Sequence, residues 1–312
     1  MSGINVVTGG LGFIGSHLVR ELLKNDQQVI CFDDLSNHID ESLNEFQSNQ
    51  HFELIEWDIS KPLPDLGFNL YRVFNLAALV SVPDSFTNPL RTHQVNETGL
   101  INVLDFSRRH GVKKLVYASS CAVYGSSDNV PLKESESVVP KSPYGLTKLN
   151  NERYAKFFCE AYGLSSVGLR FFNVYGPGQK PDSAYAGVIS TFMDRAMRNE
   201  EILIFGDGSQ VLDFVYVGDI VQSMIQVSES DIDLNVFNIG RGIETSINDL
   251  FKAIAKITGY KRKPIHKPPR LGDVLISKSD PSKIKATIGF SAKWPLEEGL
   301  VELYKSLVGL KK

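Results

Sequence analysis

The sequence predicts an α/β protein: a doubly wound parallel sheet followed by a smaller C-terminal α/β domain. Three observations carry this expectation. Strand-length apolar runs alternate with helix-length amphipathic stretches through the first 175 residues or so, and the first run ends in glycines spaced three apart, at positions 9, 12 and 15. Beyond about residue 175 the texture turns to Gly, Pro and polar residues with shorter elements. The 312 residues correspond to about two domains at roughly 150 residues each.

Taken in order, Ile4 to Thr8 is a strand, Ile14 to Lys24 a helix, and Gln28 to Phe32 a second strand closed by Asp33. Phe52 to Trp57 is a third apolar run, Arg72 to Leu76 a strand, Pro89 to His110 a helix and Lys114 to Ala118 a strand. Tyr144 to Tyr162 is helical, opened by Pro143 where a missing N–H costs nothing, and Ser166 to Phe172 is the next strand. Strand, helix, strand at this spacing marks βαβ units on a parallel sheet covered on both faces. The first domain is expected at 1–175, with a return around 212–240 in which Val236 to Ile239 rejoins the main sheet, and the second at 176–312.

A composition of 42% apolar and 22% charged residues excludes a disordered chain. Thirty-three Lys+Arg against 36 Asp+Glu leave a net charge of −3, which gives no electrostatic footprint for nucleic acid or a membrane surface. The cationic cluster Lys261, Arg262, Lys263 and Lys267 reads as a solvated loop on this net-acidic chain. Cys31, Cys121 and Cys159 are odd in number and lack a Cys-x-x-Cys, which argues against a disulfide framework or zinc ribbon and for a reducing compartment. No Lys or Arg precedes Arg20 and no apolar run approaches the ~20 residues that span a bilayer. The expectation is a soluble cytoplasmic protein.

Chemistry concentrates in a few segments. Thr8-Gly9-Gly10-Leu11-Gly12-Phe13-Ile14-Gly15 joins the first strand to the first helix. Glycines there permit a tight turn and bare backbone, so that a pyrophosphate can approach the positive end of the helix. Asp33 lies 18 residues beyond Gly15, where a carboxylate accepts bonds from an adenosine ribose and repels a 2′-phosphate, favouring NAD over NADP. Asp58-Ile59 ends the third run and either clamps the adenine or caps a turn. Tyr144 and Lys148, four apart, share one helix face. A neighbouring ammonium and a cationic nicotinamide both favour phenolate, so the tyrosine pKa is expected to fall from about 10 towards that of a usable base.

The segments TGGLGFIGSHL (8–18), FDDLSN (32–37), YASSCAVYG (117–125), SPYGLTK (142–148) and RFFNVYGPGQ (170–179) resemble the extended short-chain dehydrogenase/reductases with a Rossmann-type fold. Within them the chain is most similar to the NAD-dependent epimerase/dehydratase family, in particular nucleotide-sugar 4-epimerases acting on UDP-glucose, UDP-galactose or UDP-GlcNAc. IFGDGSQ (204–210), PRLGD (269–273) and LEEGL (296–300) extend the likeness over nearly the whole chain.

The resemblance implies that Gly9, Gly12, Phe13, Ile14 and Gly15 hold the pyrophosphate of NAD, Asp33 its ribose, and Asp58 with Ile59 its adenine. It implies further that Ala77, Ala78, Leu79 and Asn96 line the cofactor, Ser120 bonds the reacting sugar oxygen, Tyr144 is the base, and Lys148 binds the nicotinamide ribose. Asn173, Gln179, Val188, Phe205, Arg270 and Asp273 fall where the family binds a nucleotide-diphosphate sugar. Ser277 matches a gate beside the sugar C2 substituent, where a small residue leaves room for an acetamido group. The helices near 89–110 and 144–162 resemble those that pair in a homodimer.

Two positions depart from the pattern. Leu212 stands where an arginine that pairs with the diphosphate is expected before Asp213. Cys121-Ala122 stands where dehydratases of the family carry an Asp-Glu acid/base pair, so the elimination reading would require a role for Cys121. A decarboxylase, or a cofactor-sensing regulator that has lost catalysis, remain as alternatives; the latter sits badly with intact Ser120, Tyr144 and Lys148.

Overall fold

The computed structural model describes residues 3–67, 70–127, 129–180, 187–269 and 276–309. Strand β1 (Ile4–Thr8) passes through the glycine turn into α1 (Phe13–Lys24), followed by β2 (Val29–Asp33), α2 (Asp40–Gln47) and β3 (Phe52–Glu56). Then come β4 (Leu70–Asn75), α3 (Val82–Thr87), α4 (Pro89–His93), α5 (Gly99–Arg109), β5 (Lys114–Ser120), α6 (Pro143–Tyr162) and β6 (Ser166–Phe171). Shorter elements follow: β7 (Asn173–Tyr175), α7 (Val188–Met197), β8 (Leu203–Phe205), β9 (Val211–Leu212) and β10 (Phe214–Tyr216). The chain continues through α8 (Val217–Glu229), β11 (Leu234–Ile239), β12 (Thr245–Ser246), α9 (Ile247–Thr258), β13 (Ile265–Lys267), β14 (Ile276–Ser277), α10 (Ser282–Ile288) and α11 (Leu296–Gly309).

Seven strands form one sheet in the order β11-β6-β5-β4-β1-β2-β3. β1 pairs in parallel with both β2 and β4, so the strand order reverses direction between β1 and β4, and ligands of such sheets bind at the carboxyl ends beside that switch. Consecutive residues point to opposite faces of a strand, yet Val6 and Val7, Val73 and Phe74, and Leu115 and Val116 are all fully buried. The strands are therefore covered on both sides. On one side Leu100, Val103, Leu104 and Phe106 of α5 pack with Val6, Phe32, Val73, Leu115 and Tyr117.

The chain divides into two units: Met1–Gly125, Ser137–Arg170 and Val221–Phe237 in the first, Ser126–Glu136, Phe171–Ile220 and Asn238–Lys312 in the second. The division falls at 170/171 where the sequence suggested 175, and the later return covers 221–237. In the second unit β7 pairs with β10, β8 with β13, and β9 lies between β12 and β14. Helices α7 and α11 both pack on α9.

Pro89–His110, expected to be one regular helix, differs. Between α4 and α5 the helix widens into a single π turn at Gln94–Thr98, while His93 and Gly99 keep right-handed helical dihedrals on either side. Such turns insert one extra residue without ending the helix, and they gather at functional sites.

Candidate active site

At the carboxyl end of β1, Gly9 adopts a φ of +67°, and a Cβ there would lie 2.7 Å from Ala77 N. A Cβ on Gly15 would lie only 2.0 Å from Gly9 O. No side chain caps the N-terminus of α1 among the described residues, and its first turn carries no acid. Phe13 and Ile14 open the helix directly after Gly12, its N-cap. Bare backbone facing uncapped helical N–H groups is a cradle for an anionic pyrophosphate, so the turn fits a dinucleotide.

Asp33, the last residue of β2, is 7% exposed. Its Oδ2 accepts from Leu11 N and its Oδ1 from Leu35 N, both at 3.0 Å. Burial raises the carboxyl pKa above the usual range while these two bonds pull it back. The carboxylate thus ties the glycine turn to the loop beyond β2. Asp58, next to Ile59, accepts from Ser60 N at 2.9 Å and from Arg91 Nη2 at 3.0 Å. Burial opposes its ionisation, but the Ser60 and Arg91 bonds hold the carboxyl below its usual range. In the protein alone Asp58 therefore caps a turn and pairs with α4, the plainer of the two sequence readings.

Ala77, Ala78 and Leu79 continue from the end of β4. Asn96, in the π turn, exchanges two bonds with Leu79: its Oδ1 accepts from Leu79 N at 2.7 Å and its Nδ2 donates to Leu79 O at 2.9 Å. A further bond from Nδ2 reaches Thr147 Oγ1 of α6 at 3.3 Å. The side chain fixes the backbone at Leu79, a positioning task invisible in the sequence.

The catalytic candidates converge from β5 and α6. Ser142 caps α6 by accepting from Gly145 N at 3.0 Å, with Pro143 in the first turn. A Cβ on Gly145 would lie 2.6 Å from Ala122 O, so glycine lets the helix close onto the short 3₁₀ turn Cys121–Val123 that follows Ser120. Ser120 Oγ accepts from Ala122 N at 3.1 Å, and the Ser120 hydroxyl hydrogen-bonds the Tyr144 oxygen. One turn along, Lys148 Nζ donates to Ala118 O at 2.9 Å and lies 5.8 Å from the Tyr144 ring centre.

The expected fall in the Tyr144 pKa is not found in the protein alone. Burial pushes it up to about 12, and the Ser120 bond only partly opposes this. Burial likewise pushes Lys148 down to about 8. Desolvation disfavours both ions, and sequence spacing cannot reveal it.

In the second unit, Asn173 N and Nδ2 both donate to Asp213 O at 3.1 Å. Gln179 Oε1 is buried without a hydrogen-bond partner among the described residues, an acceptor that suits a ligand donor. Val188 begins α7, Phe205 ends β8, and Ser277 is buried on β14, opposite Leu212 of β9. Arg270 and Asp273 lie outside the described residues. The Asp213 carboxylate, also unpredicted, accepts from Arg241 N, Gly242 N, Ser279 N and the Ser279 hydroxyl. It fastens the segments that flank Ser277 and Leu212.

Other residues missed by sequence reasoning are Ser119, Glu152 and Arg170, which form a buried cluster behind Ser120. A signal existed: Arg170 is a lone charge in the buried strand Ser166–Phe171, and an unpaired buried charge is too costly to persist. Among the described residues no group of three or more His, Cys, Asp or Glu could hold a metal ion, and no helix is long and apolar enough to cross a membrane.

Residues 5–240 match the NAD dependent epimerase/dehydratase family. The chain is 35% identical over 301 residues to the UDP-glucose 4-epimerase of Mycolicibacterium smegmatis, covering 95% of this chain and 96% of the relative. Among solved structures it is similar to the UDP-glucose 4-epimerase of Thermotoga maritima with UDP-glucose, at 40% identity and a TM-score of 0.93 over 99% of this chain and 100% of that one. A UDP-N-acetylglucosamine 4-epimerase from Methanobrevibacter ruminantium, in complex with UDP-N-acetylmuramic acid, matches at 38% identity and a TM-score of 0.92 over 99% of both chains.

Proposed function

The chain belongs to the NAD-dependent epimerase/dehydratase family, and from that premise we propose that it interconverts the C4 epimers of a UDP-hexose or UDP-N-acetylhexosamine. It is an NAD-dependent nucleotide-sugar 4-epimerase of Rossmann-type fold. The observation that carries the reaction is the convergence of Ser120, Tyr144 and Lys148 at the carboxyl end of the sheet that bears the glycine cradle.

The residues proposed to hold NAD are Gly9, Gly12, Phe13, Ile14 and Gly15 at its pyrophosphate, Asp33 at its ribose, and Asp58 with Ile59 at its adenine. Ala77 to Leu79, supported by Asn96, line it. Bound NAD supplies the acceptor and donor of the C4 hydride. Tyr144 takes the proton from the sugar 4-hydroxyl and returns it once the 4-keto sugar has presented its other face. Before the sugar binds, the single Ser120 hydroxyl hydrogen donates to the tyrosine oxygen and favours phenolate; with the sugar in place, that hydrogen is donated to the reacting sugar oxygen instead. Lys148 holds the nicotinamide ribose and adds positive charge close to the base. Since burial alone leaves Tyr144 protonated at neutral pH, the base becomes competent only when further positive charge enters the site.

For the nucleotide sugar, Asn173, Gln179, Val188, Phe205, Arg270 and Asp273 are the proposed binding residues. The orphaned Gln179 Oε1 supports its role. The first unit would thus carry the cofactor and the second the sugar nucleotide. Ser277, small and buried, favours acceptance of 2-acetamido sugars, in keeping with the likeness to a UDP-N-acetylglucosamine epimerase. Leu212 removes one expected cation for the diphosphate. Ala122 in place of an acid disfavours dehydration.

A homodimer in a reducing cytoplasm completes the reading. Phe86 on α3 and Leu90 on α4, with Leu146 and Phe157 on α6, are exposed on neighbouring helices, an apolar set that a second copy would cover. The test is to incubate the purified protein with UDP-glucose and with UDP-GlcNAc and follow the anomeric and H4 signals by NMR. Appearance of the galacto epimers supports the reading; a 4-keto-6-deoxy product, a pentose, or no turnover by NAD-loaded protein overturns it.

A further inference from the structure

Helix α6 presents one residue per turn to the end of β5. Tyr144 meets Ser120, Lys148 meets Ala118 O, and one turn later Glu152 Oε1 accepts from Ser119 Oγ at 2.5 Å. The first two are catalytic groups and the third takes no part in the reaction. Glu152 is held in turn by Arg170 of β6, whose Nε donates to Oε1 at 2.8 Å and Nη2 to Oε2 at 2.7 Å. The remaining guanidinium arm, Nη1, donates to Tyr124 Oη at 2.8 Å, and the guanidinium carbon stands 4.8 Å from that ring's centre. All four side chains are buried. Ser119 immediately precedes Ser120, and Tyr124 caps the 3₁₀ turn that follows it.

We propose that the Glu152–Arg170 pair is a positioning unit of the active site, setting Ser120 against Tyr144 by gripping Ser119 on one flank and Tyr124 on the other. This deepens the epimerase reading and rests on it. A buried ion pair is a poor device for stability alone, because desolvating two charges offsets most of their attraction and apolar residues of similar size serve as well. What apolar packing cannot supply is direction. The planar guanidinium fork and the two carboxylate oxygens each fix hydrogen bonds at set angles, and here every arm that leaves the pair ends on a residue flanking Ser120. Catalytic geometry is sensitive to such placement: an error of about 1 Å costs on the order of 100-fold in rate.

The cleanest test is Ser119→Ala in the NAD-loaded enzyme, because it cuts the link from Glu152 to β5 and leaves the ion pair intact. The expected result is about a tenfold fall in kcat with KM for the UDP-sugar unchanged, NAD retained and thermal melting unaltered. The acid limb of the kcat/KM–pH profile, which reports the NAD-loaded enzyme free of sugar, should also move to higher pH, because a displaced Ser120 no longer donates fully to the Tyr144 oxygen and the phenol ionises later. A purely structural role would not move that limb. Tyr124→Phe cuts the other link and should act in the same direction. Glu152→Gln combined with Arg170→Met removes both charges together, leaving neither unpaired, and should remain slow even when folded. If the parent epimerises UDP-sugars and Ser119→Ala keeps kcat and the pH profile within twofold, the proposal falls. If the parent turns over no UDP-sugar, the epimerase reading itself has failed, and the two outcomes are distinct.

Discussion

The glycine turn after β1 and the helix α6 build the candidate site by opposite means. The turn works by subtraction: side chains are absent at Gly9, Gly12 and Gly15, a Cβ at two of them would strike backbone, and helical N–H groups are left for a ligand. α6 works by addition. Tyr144, Lys148 and Glu152 fill successive turns of one face, and each is matched to a hydrogen-bonding partner at the end of β5. A binding surface for a charged diphosphate can be made from backbone alone, which all sequences share. Proton transfer needs particular side chains at particular distances, and burying them creates the pKa shifts that the ligands must then overcome.

The difference predicts a ranked set of outcomes. Removing a side chain from α6 should harm chemistry and spare binding: Tyr144→Phe, which loses one hydroxyl, is expected to lower kcat by roughly 10²- to 10⁴-fold with NAD still bound. Turnover within a few-fold of the parent would show that the base is elsewhere. Adding a side chain to the turn should do the reverse. Gly15→Ala places a Cβ 2.0 Å from Gly9 O, so the turn must open; the protein is expected to purify without NAD and to lose about 1–3 kcal/mol of stability. Retention of stoichiometric NAD in that variant would remove the cradle argument.

A pH titration separates the two regions further. With Lys148 pushed down to about 8 by burial, its ammonium is lost as pH rises through that value, so kcat/KM should decline above about pH 8 while the turn, which has no titrating group, keeps its affinity. A rate flat to pH 10 would mean that the bound ligands hold the ammonium charged. The smallest effect is expected at Cys121. Its thiol adds only a minor upward push to the Tyr144 pKa, so Cys121→Ala should leave activity within a few-fold of the parent. Complete loss with NAD retained would move the chemistry towards elimination.

The same contrast explains what could be read from the sequence. The turn is local: three glycines between a strand and a helix suffice to announce it, and the strands around it declare themselves as apolar runs because both faces of the sheet are covered. Tyr144 and Lys148 were legible for the same reason, being four residues apart on one helix. The partners of Glu152 come from positions 119 and 170, and no local pattern joins them. Burial is also non-local, which is why the upward push on the tyrosine pKa in the protein alone could not be read from the spacing. The buried Asp213 in the second unit collects bonds from positions 241, 242 and 279. Its importance is a property of the fold, and only its neighbour Leu212, as a departure from a family pattern, drew notice in the sequence.

The π turn at Gln94–Thr98 makes the length of the chain itself a coded quantity. Deleting one residue from those five would restore an ordinary helix and rotate everything on one side of the cut by about 100° relative to the other, with a shift of about 1.5 Å. Either Asn96 would then swing away from Leu79, or Leu100, Val103 and Leu104 would leave the core, since both sets cannot be satisfied at once. A gap placed in this segment when sequences are compared, or a loop-shortening design that treats it as ordinary helix, therefore changes two distant surfaces in a single step, whereas substitutions at the exposed Gln94 change neither.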